Sequence, residues 1–257
     1  MNLGLKLGSP DLQYETAIKQ LWQKNAFQYI ELLAIPNSFQ STIHFWKQFE
    51  IPFVIHAPHA KHGMNASIKE LEAENIEKIK ETFEFANALN AEHIIFHPGT
   101  LGDINETVRQ FLPFTDPRFL IENKPGIAFN GNPCLGIEPE EIEFLMEKLG
   151  IGFCFDFGHA VCAANLLKRE PFKLIEGFLK LKPQMYHLTD GFFTNEMDVH
   201  LHYGDGDFPI GEFLKMIPQN AKITNEAKHD SSENLDDFLA DAETLADLTS
   251  TSQKIHV

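Results

Sequence analysis

Short apolar runs alternate with longer amphipathic stretches along the whole chain. The runs fall at 2–8, 28–34, 52–57, 93–97, 118–122, 152–156, 184–188 and 221–226, and their length and apolar character predict buried parallel strands. Between them, apolar residues recur at helical spacing, most clearly over 67–89 and 233–247. In the first of these segments Ile68, Leu71, Ile76, Ile79, Phe83 and Phe85 follow that spacing. Asp11 and Ser38 stand where they can cap the helices after the first two strands. Eight strand–helix repeats predict one closed parallel (β/α)₈ barrel, a TIM barrel, with residues 1–248 as the barrel and 249–257 as a loose tail. The chain has 257 residues, close to the roughly 250 typical of that fold. The stretch Asn130-Gly131-Asn132-Pro133 reads as a loop inserted after the fifth strand.

Several of these strands change character at their C-terminal ends. Ile51-Pro52-Phe53-Val54-Ile55 runs into His56, Ile94-Ile95-Phe96 into His97, and Phe119-Leu120-Ile121 into Glu122. Phe153-Cys154-Phe155 runs into Asp156, with His159 three residues on; Met185-Tyr186 runs into His187, and Ile223-Thr224-Asn225 into Glu226. In a parallel barrel all these ends surround one mouth, where active sites of the fold lie. Carboxylates gathered there repel one another unless a cation compensates them. Imidazole with carboxylate is a donor set suited to zinc, manganese or iron. Asp198-Val199-His200 follows the seventh strand; in an extended loop, residues two apart point the same way and can share an ion. Structural metal sites tend to be closed, whereas these residues converge on an open mouth, which favours an enzyme.

Composition narrows the partners. The net charge is −16, and the only arginines are Arg109, Arg118 and Arg169. Such a chain repels polyanions at long range and lacks the guanidinium footprint of an extensive nucleic-acid binder, although bound cations reverse the field locally. Cys134, Cys154 and Cys162 form no CxxC pair, and their odd number argues against a disulfide framework. No apolar run is long enough to span a membrane, and Met1 to Lys6 leads straight into a strand, so the reading is a cytoplasmic protein.

The ordered segments Ile55-His56-Ala57-Pro58, Phe96-His97-Pro98-Gly99, Ile121-Glu122-Asn123, Asp156-Phe157-Gly158-His159, His187-Leu188-Thr189-Asp190, Asp198-Val199-His200 and Thr224-Asn225-Glu226 resemble those of endonuclease IV within the xylose-isomerase-like TIM barrels. The resemblance implies up to three zinc ions, with manganese or iron as other candidates. His56, His97 and Glu122 would hold the first ion. Glu122, Asp156, His187 and Glu226 would hold the second, with Glu122 bridging, and His159, Asp198 and His200 the third. Glu122 and Glu226 would be the catalytic carboxylates. The implied activity is phosphodiester hydrolysis, on DNA at an abasic site. Related isomerases and epimerases use only Glu122, Asp156, His187 and Glu226, around one divalent ion, to move a proton on a small sugar or sugar phosphate. Two departures separate this chain from the DNA repair members. His59 takes the place of an aromatic residue, and Lys124-Pro125-Gly126 replaces small residues after the glutamate motif. The stretch Asp156-Phe157-Gly158-His159 and the run His202-Tyr203-Gly204-Asp205-Gly206-Asp207 are closer to the isomerase-like members.

Overall fold

In the computed structural model, which describes residues 1–254 and their side chains through 249, eight parallel strands close into a barrel in chain order. The first half runs β1 (Asn2–Gly8), α1 (Glu15–Gln23), β2 (Tyr29–Leu33), α2 (Phe39–Trp46), β3 (Phe53–His56), α3 (Glu72–Ala88), β4 (Ile94–Phe96) and α4 (Ile104–Phe111). The second half runs β5 (Phe119–Glu122), α5 (Pro139–Leu149), β6 (Gly152–Asp156), α6 (Phe157–Leu167), α7 (Pro171–Leu179), β7 (Met185–Leu188), α8 (Ile210–Met216), β8 (Lys222–Asn225) and α9 (Asp236–Lys254). Closure is made by β1 against β8, with Asn2 opposite Lys222 and Leu5 opposite Asn225. Among the described residues no helix is long and apolar enough to cross a membrane.

Side chains alternate between the two faces of each strand. Tyr29, Val54, Ile95, Leu120, Cys154 and Met185, one from each of β2 to β7, form a separate buried layer inside the barrel. Two residues further along the same strands, on the same inward face, come Glu31, His56, His97, Glu122, Asp156 and His187. The matching steps on the closing strands lead from Gly4 to Lys6 and from Thr224 to Glu226. An apolar floor thus carries a tier of ionisable groups directly above it. The outward-facing positions pack against the helices, and phenylalanines from both strands and helices fill that layer. Phe96 and Phe119 stack at 4.4 Å between ring centres, and Phe157 and Phe213 at 4.8 Å.

The structure departs from the sequence expectations at several element ends. Residues 69–71 form a 3₁₀ turn, so α3 begins at Glu72 and not at 67. Asp11 and Ser38 occupy helix-entry positions but do not cap with their side chains. The Asp11 carboxylate accepts from Gly8 N at 2.6 Å, and Ser38 Oγ is engaged by Ile35 O and Ser9 Oγ, both at 2.6 Å. Each side chain ties its loop to the preceding strand end. Helix α9 continues through Lys254, into the segment expected to be a tail. Thr249 donates its hydroxyl back to Leu245 O at 2.7 Å, one way in which a Ser/Thr-rich stretch satisfies its side chains within a helix. Residues 255–257 of the expected tail lie outside the described residues. The Asn130–Pro133 stretch is a tight turn in the loop after β5, with Gly131 at φ +81°.

The floor depends on Gly4. A Cβ there would lie 2.4 Å from the Tyr29 ring, whose hydroxyl pairs with Thr224 Oγ1 at 2.8 Å on the far side of the barrel seam. Gly4→Ala is expected to lower stability by about 1–3 kcal/mol through overpacking. Denaturant melts measure this, and an unchanged midpoint would contradict the packing.

Candidate metal centre

The nine residues singled out from the sequence come together at the C-terminal mouth of the barrel, in three donor groups. They are His56, His97 and Glu122; Glu122, Asp156, His187 and Glu226; and His159, Asp198 and His200, with the donor atoms of each group within 4.8 Å of one another. Glu122 belongs to two of them. Its Oε2 faces His56 Nε2 at 3.1 Å and His97 Nε2 at 3.0 Å, while Oε1 lies 3.1 Å from His159 Nδ1 and 3.6 Å from His187 Nδ1. In the third group Asp198 Oδ2 lies 3.3 Å from His159 Nε2 and 2.5 Å from His200 Nε2. The Asp198–His200 pair converges differently from the extended loop expected. His200 sits at φ +52°, a conformation uncommon for any residue but glycine, and Leu201 then bridges back to Asp190.

The surroundings fix which ring nitrogen faces each group. Nδ1 of His56 pairs with Ala57 O at 2.8 Å, Nδ1 of His159 with Asn123 O at 2.8 Å, and Nδ1 of His200 with Glu226 O at 2.7 Å. A backbone carbonyl only accepts, so each Nδ1 carries a proton and Nε2 is the nitrogen presented to the group. Asn123 clips β5 to β6 by donating to Asp156 O at 2.9 Å and accepting from Asp156 N at 2.8 Å. Asp156 Oδ1 accepts from His159 N at 2.7 Å, capping α6. Its other oxygen, Oδ2, is buried without a hydrogen-bond partner, as is His187 Nδ1. These two atoms belong to the four-residue group, and a cation between them would satisfy both; a third orphaned atom at the mouth, Glu31 Oε1, lies outside that group beside the Lys6 ammonium. On that ground the donor set fits a divalent ion.

The charges are strongly coupled. Burial lifts the Asp156 carboxyl to about 6, with repulsion from Glu226, Asp198 and Glu122 adding to it and His159 opposing. Burial pushes Glu122 and Glu226 the same way, but His97, His187 and Lys124 hold the first, and His187 and Lys6 the second, well below the usual carboxylate range. Burial disfavours the charged forms of His159 and His200. The neighbouring Asp156 and Asp198 overcome this and raise them to about 10 and about 9. His97 and His59 go the other way, pushed well below the ordinary imidazole value by burial and by nearby Lys124 and histidines.

A cavity of about 360 Å³ opens over the groups, lined in part by Lys6, His59, Lys61, Lys124, Phe129, Met197 and Lys228. Four lysines, Lys6, Lys61, Lys124 and Lys228, line the mouth beside its carboxylates, in a chain whose net charge is −16. His59 lines this cavity, with its ring 5.4 Å from that of His97. Lys124 reaches His97 Nε2 at 3.4 Å. The glycine-containing run after His202 folds around Asp190, whose carboxylate accepts from the backbone of Gly191, Gly204, Gly206 and Phe208. Two residues of the mouth were missed from sequence, Lys6 and Glu31. Nζ of Lys6 lies 3.1 Å from Glu31 Oε1 and also pairs with Glu226. Glu31 Oε2 meets His187 Nε2 at 2.9 Å. The signal that finds them is the two-residue step above the floor, applied to β1 and β2.

A family profile described as Xylose isomerase-like TIM barrel matches residues 44–248. An uncharacterized protein of Methanocaldococcus jannaschii is 23% identical over 205 residues; the match takes in 72% of this chain and 66% of that protein, so the chain covers less than two thirds of this relative. A D-tagatose 3-epimerase-like protein superposes with a TM-score of 0.71 at 20% identity, over 100% of both chains. Endonuclease IV from Thermus thermophilus superposes with a TM-score of 0.70 at 18% identity, over 98% of this chain and 100% of that one. The IOLI protein with a bound zinc atom gives 0.68 at 15% identity, over 98% and 99%. At these identities the structural likeness establishes the barrel, which epimerases, isomerases and a nuclease share.

The imidazole charges give the ion-free protein a pH dependence of known sign. His159 and His200 are more basic folded than unfolded. Their stabilising contribution is therefore complete below the unfolded value of about 6.5 and is lost as pH rises through about 9 and about 10. After treatment with a chelator, the thermal midpoint is expected to fall as pH is raised across that window. A midpoint that stays level or climbs would contradict the charge arrangement.

Proposed function

The chain belongs to the xylose isomerase-like TIM barrel family, and from that premise we propose that it is a multinuclear metal-dependent hydrolase of phosphodiesters. The observation that carries this reading is the presence of three donor groups at one mouth, two of them sharing Glu122. A one-ion isomerase has no need of His56, His97, His159, Asp198 or His200. The mixture of imidazole and carboxylate suits zinc, up to three ions, with manganese or iron as alternatives. Bound divalent ions supply Lewis acidity and acidify water to a usable nucleophile near neutral pH.

The chain's own residues do the rest. Glu122 offers one oxygen to His56 and His97 and turns the other toward the four-residue group, so one carboxylate couples two sites. Glu226 faces both His187 and the cavity, and with Glu122 it is assigned to catalysis. Lys61, Lys124 and Lys228 draw the substrate's phosphate to the mouth. Phe129 and Met197 provide an apolar rim beside them, suited to covering the sugar flanking that phosphate. DNA with an abasic site is the substrate proposed, as for an endonuclease IV.

The second reading is a sugar or sugar-phosphate isomerase or epimerase using Glu122, Asp156, His187 and Glu226 alone. The modest cavity, about 360 Å³, favours it, because that volume suits a small ligand.

The test is nicking of duplex DNA carrying an abasic analogue by protein loaded with Zn²⁺ or Mn²⁺. Cleavage is expected, and His56→Ala or His200→Ala should reduce it on the order of 10²–10³-fold, as loss of one transition-state charge stabiliser does. Absence of cleavage, together with solvent proton exchange into a ketose that survives both His variants and is abolished by Glu226→Gln, would overturn the hydrolase reading.

A further inference from the structure

The donor groups draw on β3 to β8. Strands β1 and β2 add a charged pair that the ligand pattern does not include. Glu31 is fully buried, set between Ile30 and Leu32; its Oε2 is hydrogen-bonded, whereas Oε1 has no hydrogen-bond partner and only the Lys6 ammonium as a neighbouring charge. Oε1 lies 3.1 Å from Lys6 Nζ, and Oε2 meets His187 Nε2 at 2.9 Å and Thr224 Oγ1 at 2.6 Å. The Lys6 ammonium pairs in addition with Glu226 Oε1. Two of the four residues in the central group, His187 and Glu226, are therefore gripped from behind by one ion pair.

Resting on the metal-centre reading above, we propose that Lys6 and Glu31 are positioning residues for an ion held by Glu122, Asp156, His187 and Glu226. Glu31 commits Nε2 of His187 to itself. That leaves Nδ1 as the nitrogen turned into the group, 3.0 Å from Glu226 Oε1 and without a hydrogen-bond partner. His56, His159 and His200 are oriented by backbone carbonyls, whereas His187 is oriented by a carboxylate. A carboxylate behind a ligating imidazole both fixes the ring and makes it a stronger donor.

Lys6 has a second task. Glu31, His56 and Glu226 also present donor atoms within 4.8 Å of one another, so without a cation among them they offer an ion a competing position. The ammonium pairs with both glutamates of that trio and leaves Glu226 one oxygen, Oε2, free of it. A tethered charge thereby steers the ion toward Asp156 and His187 and away from Glu31.

The experiment is Zn²⁺ titration by calorimetry, with metal counted per chain, on the wild type and on Glu31→Gln, Lys6→Met, Lys6→Arg and the Lys6→Met/Glu31→Gln double variant. The wild type is expected to take up more than one ion. Glu31→Gln should weaken one binding step by about 10–100-fold and leave the others unchanged. Lys6→Met should disturb the same step, and Lys6→Arg should largely preserve it. The double variant leaves no unpaired charge at Glu31, so it is the variant read where a single variant does not fold, and it should show the same single-step loss. The two losses should not add, because the pair acts as one unit. A merely structural role would shift the melting temperature of the chelated protein and leave every binding step intact; that result overturns the proposal. A wild type that binds no Zn²⁺ fails the metal reading itself, whereas a wild type that binds Zn²⁺ beside a folded Glu31→Gln of equal affinity fails only this inference.

Discussion

Carboxylates crowded into a space shielded from water resist ionisation unless positive charge lies among them. Glu31, Glu122, Asp156, Asp198 and Glu226 share the mouth of this barrel, and the chain answers with histidines between them and with Lys6 beside Glu31 and Glu226. The compensation is incomplete at Asp156. One of its oxygens caps a helix, the other has no hydrogen-bond partner, and its pKa is lifted to about 6. That residual need for a cation is the strongest physical reason for regarding the mouth as a metal centre and not a network of structural ion pairs.

The way the strands deliver this arrangement is simple. A parallel barrel repeats the same two-residue alternation on every strand, so an apolar layer of Tyr29, Val54, Ile95, Leu120, Cys154 and Met185 guarantees that the next inward position also faces the axis. Placing His, Asp or Glu at that position makes a convergent tier without any special backbone. The third donor group needs more. Asp198 and His200 lie on a loop, and the loop is held by Asp190 accepting several backbone amides and by a left-handed His200. The chain accepts that unfavourable conformation where it turns an imidazole toward the rim.

This construction explains how much of the molecule was legible in the sequence. The strands and their order follow from short apolar runs, and the donors at the ends of β3 to β8 announce themselves by breaking those runs. Glu31 and Lys6 do not. Each is followed by two further strand residues, Leu32-Leu33 and Leu7-Gly8, because β1 and β2 continue past the level of the tier, whereas β7 ends one residue after His187. A charge inside an apolar run reads as an irregularity until the inward register is known. Helix entry at Asp11 and Ser38 misled for a related reason: a short polar side chain beside several free backbone groups has more than one partner in reach, and sequence does not choose between them. The reach of α9 past residue 248 was hidden by Ser and Thr, whose preference outside helices is offset here in part by a hydroxyl bonded within the helix.

The overall charge of −16 and the lysine-lined mouth are compatible because fields in a cleft are set locally. The proposed chemistry requires that the tier hold several ions and not one. Anomalous X-ray scattering at the zinc edge, from crystals grown with Zn²⁺, measures this directly. Three peaks are expected at the mouth, one beside each donor group and two of them flanking Glu122. A single peak at the four-residue group, or none, would contradict the proposed chemistry.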